Sequence, residues 1–248
     1  MFKKIIVGVL VVLITVGVCI AMPVIWGYLS LVSDDPTVWE SAIVDFEAMD
    51  REISPPQDAV VFVGSSSIRN WETLAEDMAP LPVIQRGFGG AKIDDIVYYV
   101  DRIVTVYKPR AVVLFAGSND LIGYTNDKTP EEILASYVTF ASIVHTTLPE
   151  THIYYIAISP TGRRWEQWPD IQRTNRLIYE YTLLDPRLSF IDTTTVLLNE
   201  NDLPNDDFFW SDQLHLSAAG YAAWTSVIRP ILHRDLLEAT TSPFVTRL

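Results

Sequence analysis

From residue 59 onward the chain alternates between short apolar runs and longer stretches in which apolar positions return every three or four residues. The short runs at 59–63, 82–85, 111–116, 152–159 and 188–191 predict strands. Several carry β-branched or aromatic residues at consecutive positions, as strands covered on both faces do. Residues 94–107, 130–147, 170–184 and 217–233 predict helices. The second of these has a clear start in Thr129-Pro130-Glu131-Glu132: a capping hydroxyl, a proline in the first turn and acids near the positive end of the dipole. Repeated strand–helix units imply a parallel sheet with helices on both faces. Ahead of them, residues 34–58 predict a polar lead-in with one amphipathic helix, on which Trp39, Ile43, Phe46 and Met49 share a face and which Ser54-Pro55-Pro56 ends.

The first 33 residues follow a different pattern. No charged residue occurs from 5 to 33, and about 20 apolar residues suffice to cross the hydrocarbon core of a bilayer. Lys3 and Lys4 precede the stretch and Asp34 and Asp35 follow it, which predicts a cytoplasmic N-terminus and an extracytoplasmic main domain. A cleavable signal peptide is the rival reading, with a secreted product. Its apolar region is normally about 7 to 15 residues long, whereas here Cys19-Ile20-Ala21 runs on into Met22-Pro23-Val24-Ile25-Trp26. A lipid-modified Cys19 would want a small residue where Val18 stands. The expected organisation is therefore a membrane anchor over 1–33, a lead-in over 34–58 and one α/β domain over 59–248.

The 248 residues fit one such domain with a short appendage. The mean hydropathy of +0.19 is high for a soluble chain, and the uncharged stretch accounts for it. Cys19 is the only cysteine, so the exported part has neither disulfide nor thiol chemistry. With Lys3 and Lys4 set aside, the net charge falls from −13 to about −15, which disfavours nucleic acid and anionic surfaces as partners.

Polar residues gather where the predicted strands end, and in open α/β sheets the ligand crevice lies beyond the carboxyl ends of the strands. The first run leads into Gly64-Ser65-Ser66-Ser67, a serine cluster at a strand-to-helix turn. Backbone N–H groups at a helix start can stabilise an oxyanion, although three serines alone also make an ordinary turn and cap. The second leads into Arg86-Gly87-Phe88-Gly89-Gly90, which lacks the spacing of a nucleotide-binding loop. The third leads into Gly117-Ser118-Asn119-Asp120, whose amide could donate to developing negative charge or simply form a turn. Before the last helix stands Asp212-Gln213-Leu214-His215, a spacing that lets a carboxylate hold an imidazole. Of the four histidines, His145, His152 and His233 lack such company, which leaves His215 as the general-base candidate. No HExxH or HxH pattern and no second cysteine is present, so no metal site and no cofactor is expected.

These four segments, in this order, resemble the conserved blocks of the SGNH hydrolase superfamily, also called GDSL esterases and lipases, over residues 59–231. The resemblance implies a flavodoxin-like three-layer α/β/α sandwich around a parallel sheet. It also implies a serine esterase in which Ser66 attacks, His215 takes its proton, Asp212 orients His215, and the N–H groups of Ser66, Gly90 and the Asn119 amide form the oxyanion hole. The family's Gly-Asp-Ser reads Gly64-Ser65-Ser66 here, and Gln85 stands where many members have asparagine. The GxSxG of ordinary α/β-hydrolases is excluded, since Ile68 holds the second glycine position.

The substrate is then a carboxylic ester of a small molecule, a carbohydrate or a lipid. A carbohydrate O-acetyl esterase of the cell envelope leads, with a lysophospholipase- or thioesterase-type lipid esterase, an acyltransferase and a non-catalytic binding domain as alternatives. Arg163, Arg164, Trp165 and Trp168 follow the fourth strand and could hold a sugar ring or an anion; Trp210, in Phe208-Phe209-Trp210, could wall the acyl pocket.

Overall fold

In the computed structural model, which describes residues 33–124 and 126–238, the five apolar runs pair into one sheet. Its strands are β1 (Val60–Gly64), β2 (Val83–Gly87), β3 (Ala111–Phe115), β4 (His152–Ile156) and β5 (Leu188–Ile191). All neighbours are parallel and the order is β2-β1-β3-β4-β5. The helices, in chain order, are α1 (Glu40–Glu52), α2 (Ser66–Arg69), α3 (Leu74–Asp77), α4 (Ile93–Ile103), α5 (Pro130–Thr147), α6 (Trp168–Thr182) and α7 (Ala218–His233).

Strand alternation sorts the apolar residues into two cores. Val61 and Val63 of β1 face the core formed with α1, α4, α5 and α6, while Val60 and Phe62 face the one formed with α2, α3 and α7. In the second core Trp71 is ringed by Phe62, Tyr221 and Trp224 at centroid distances of 5.9, 5.4 and 5.7 Å. Helix, sheet and helix thus form the three layers expected, with every residue of β1 and β3 buried. The expected anchor over 1–33 lies, apart from Ser33, outside the described residues; among those described, no helix is long and apolar enough to cross a membrane.

The boundaries moved where neighbours decide them. The run at 152–159 pairs only to Ile156, because its partner β5 ends at Ile191, opposite Ile156. Beyond that point the Asn175 side chain takes over, accepting the Ile158 N–H at 2.8 Å and donating to its carbonyl at 2.9 Å. The helix expected to 107 stops at Ile103, where Val104 leaves helical geometry, and a short 3-10 turn, Thr105–Tyr107, runs to a left-handed Lys108.

The lead-in helix α1 is a packed part of the domain. Trp39 and Ile43 are buried, whereas Met49, expected on the same face, is exposed. The helix is also fastened by polar contacts: Arg102 pairs with Glu40 and Glu47, and Arg86 lies between the rings of Phe46 and Tyr107 while pairing with Asp50. The Trp39 indole donates to Asp95 at 3.0 Å. Burial pushes the Asp95 carboxyl up to about 6, against the opposing hydrogen bonds from Lys92 N–H and Trp39. Replacing Trp39 by Ala removes both the packing and the donor, and is expected to cost about 3–5 kcal/mol of stability in urea unfolding; a loss below about 0.5 kcal/mol would show that α1 is not part of the cooperative core.

Candidate active site

The chain runs from β1 to β2 on one side and then crosses to β3 on the other, so a crevice opens between the carboxyl ends of β1 and β3. Ser66 follows β1 there and Asn119 follows β3. The α2 turn carrying Ser66 lies so close to β2 that a Cβ on Gly87 would stand 2.2 Å from the Arg69 nitrogen. Two side chains hold this one-turn helix. Gln85 Nε2, from β2, donates to the carbonyls of Ile68 at 2.6 Å and Trp71 at 3.1 Å, satisfying acceptors at the end of α2. The Tyr221 hydroxyl of α7 donates to the Ser67 carbonyl at 2.9 Å.

The Asp212–His215 segment is a self-contained turn. Asp212 Oδ1 accepts the backbone N–H groups of Leu214 at 2.9 Å and His215 at 3.0 Å, while Oδ2 lies 2.6 Å from His215 Nδ1. That carboxylate contact assigns the ring proton to Nδ1 and leaves Nε2 bare. Nε2 lies 3.0 Å from Ser66 Oγ, so the hydroxyl can donate to it. Burial acts to raise the Asp212 carboxyl, but the hydrogen bonds from the imidazole and the two N–H groups outweigh it and hold it below the ordinary carboxylate value. The arrangement can withdraw a proton from Ser66 and stabilise the imidazolium formed.

In the segments that follow β1, β2 and β3, three N–H groups have no protein acceptor among the described residues. The Ser66 amide opens α2, and the Gly90 amide follows a left-handed φ of +89° that suits glycine. The third belongs to Asn119, which is buried; its Nδ2 donates one hydrogen to Ala91 O at 3.0 Å and keeps the other. The hollow joining Ser66, Asn119 and His215 is small, about 10 Å³, room for roughly one water. Ser159 and Thr161 also line it, and their hydroxyls are buried without a partner among the described residues.

The expected substrate-binding residues take several positions. Trp210 is exposed and lies 5.7 Å from the His215 ring, at the rim of the site. Its neighbour Phe209 instead belongs to the core. Trp165 and Trp168 stack on one another at 5.6 Å, and Trp168 borders a separate cleft of about 610 Å³ that Gln172, Arg176, Tyr179, Phe190 and Asp192 also line. Arg163 is exposed. Arg164 departs from the expectation: it is buried and engaged by the protein itself, donating to Ser118 and to Asn119 Oδ1. No group of three or more His, Cys, Asp or Glu side chains suited to a metal ion occurs among the described residues.

A protein-family model described as the GDSL-like lipase/acylhydrolase family matches residues 57–223, more than half of the chain. A GDSL-like lipase from Bacteroides thetaiotaomicron superimposes with a TM-score of 0.68 at 19% identity, over 78% of this chain and 98% of that one. A catalytic variant of an acetylxylan esterase from Geobacillus stearothermophilus gives 0.57 at 16% identity, over 72% and 94%. A search of curated proteins finds no match.

Asp120, next to Asn119, accepts the Ile93 N–H at 3.1 Å, and burial pushes its carboxyl up to about 7 against that bond. A folded-state value raised above the ordinary 3.8 means that stability present at low pH is lost as pH rises toward 7. Asp120→Asn, which cannot ionise, should therefore gain stability relative to the parent between pH 4 and pH 8 in urea unfolding. Parallel curves over that range would contradict the assignment.

Proposed function

The chain belongs to the GDSL-like lipase/acylhydrolase family and is a hydrolase acting on ester bonds, and on that premise we propose that it is a serine carboxylesterase for short acyl groups. Ser66 Oγ attacks the ester carbonyl while His215 Nε2 takes its proton, and Asp212 holds the imidazolium. The N–H groups of Ser66, Gly90 and Asn119 receive the oxyanion. Collapse of the tetrahedral intermediate breaks the bond to the alcohol, which leaves with the proton from His215. Water then adds to the acyl-enzyme by the same route and releases the acid.

The observation that carries the short-acyl reading is the size of the hollow beside Ser66 and His215, about 10 Å³ and bounded by the residues that follow β1, β3 and β4 and by the segment around His215. A methyl group can occupy such a space with slight adjustment, whereas a long chain would have to displace the packed loops that line it. The separate cleft at Trp168 combines aromatic faces with hydrogen-bonding side chains, a mixture suited to sugar. The acetylxylan esterase likeness supports an O-acetyl carbohydrate as substrate. A lipid ester is the second reading, favoured by the uncharged stretch 5–33, which with Lys3 and Lys4 supports an anchored, extracytoplasmic enzyme.

The test is hydrolysis of p-nitrophenyl acetate, butyrate and octanoate by the parent, Ser66→Ala and His215→Ala. Acetate should be cleaved fastest, and each variant should lose on the order of 10⁴-fold or more in kcat while unfolding at the parent's urea midpoint. Preference for octanoate would shift the assignment to lipid, and an active Ser66→Ala would remove the serine mechanism.

A further inference from the structure

Arg164 carries a buried positive charge that forms no ion pair among the described residues. Removing a guanidinium from water without a carboxylate partner costs several kcal/mol, and burial pushes this one down to about 10, still protonated at neutral pH. Its contacts are all acceptors on one short segment: the Ser118 carbonyl and hydroxyl from Nη1, and Asn119 Oδ1 at 2.8 Å from Nη2. Arg164 also lines the hollow at Ser66.

We infer that Arg164 is a positioning residue for the oxyanion hole, acting through the Asn119 amide. An arginine side chain only donates. Facing it, the amide must present Oδ1, because the flipped amide would set an NH2 group against the guanidinium. The NH2 end is thereby turned toward Ala91 O, which takes one hydrogen at 3.0 Å, and the second hydrogen is left for the substrate oxygen. The charge also draws electron density from Oδ1, which makes that second N–H a stronger donor as the oxyanion forms. Ala91 alone would leave the amide free to rotate away. The inference rests on the serine mechanism proposed above.

The test is a double-mutant cycle on p-nitrophenyl acetate hydrolysis with Arg164→Met, Asn119→Ala and the pair. Arg164→Met should lower kcat by about 10²-fold, the scale of losing one oxyanion-hole donor, with KM changed less than about threefold. In the Asn119→Ala background the same change should alter kcat by less than about threefold. Binding of methylboronic acid, which forms an anionic tetrahedral adduct on a serine hydroxyl, should weaken in Arg164→Met and respond no further in the pair. If Arg164→Met does not fold, Arg164→Lys, which keeps the cation but not the paired donors, carries the same cycle. Factors that multiply in full, or an Arg164 variant with parental kcat, would overturn this inference alone. Activity surviving in Ser66→Ala would overturn the serine mechanism and this inference with it.

Discussion

The site depends on the register of β1 with its two neighbours. Gly64 lies opposite both Gly87 of β2 and Phe115 of β3, so three adjacent strands end at one level. Each is followed at once by a loop bearing a functional group, and the Ser65 N–H donates to the Phe115 carbonyl at 3.3 Å, tying the first loop to the third. A slip of one residue would turn every side chain of β1 to the wrong core. With Val60 to Gly64 buried on both faces, and each buried aliphatic contributing about 1.5–3 kcal/mol, that slip is prohibitive. The hydrophobic sheet thus fixes the placement of polar groups that take no part in its own stability.

This division explains what could be read along the chain. The strands and long helices were legible because double-sided burial and helical period leave local marks; residues 130–147 were found to the residue because Thr129 and Glu132 form a reciprocal cap at the start. Strand ends were less legible, since pairing stops where a neighbour stops, as at Ile156. The four-residue helices α2 and α3 are too short to show any period. Ser66, Asn119, Asp212 and His215 stood out through residue type and place. Gln85 stood out only as a departure from the family's asparagine, and Arg164 only as a candidate for holding substrate. Arg163 and Arg164 are identical in sequence terms, yet one is exposed and the other returns across 45 positions to meet Asn119. Nothing short of the fold distinguishes them, because the signal is a tertiary contact.

The polar groups around Ser66 also conflict with folding. Among the described residues Ser159 and Thr161 bury hydroxyls without partners and Arg164 buries a charge without a carboxylate, and Asp120 is held where ionisation is disfavoured. Each is unfavourable in isolation. They persist together because the two cores over-determine the loops that carry them. A site whose dipoles already point inward does not have to reorganise them as charge develops, so the same rigidity that tolerates the unfavourable burial also favours catalysis.

The proposed catalytic groups differ in how they are secured. Asp212 and His215 form a local turn that needs little else, but the contact between His215 and Ser66 joins residues 149 positions apart. Its length is set by how the segment before α7 docks: Phe209 bridges Leu216, the Trp210 N–H donates to the His215 carbonyl at 2.8 Å, and Tyr221 grips the Ser67 carbonyl from the first turns of α7. The proposed acyl hollow is bounded by the residues that follow β1, β3 and β4, by Phe115 at the end of β3 and by this docked segment. Outside that lining stand the exposed Arg163 and the exposed Trp210, whose ring lies beside His215. On the proposed mechanism, change at those two exposed positions leaves the distance between Ser66 and His215 untouched, whereas a longer acyl group requires the loops that line the hollow, with Arg164 among them, to move.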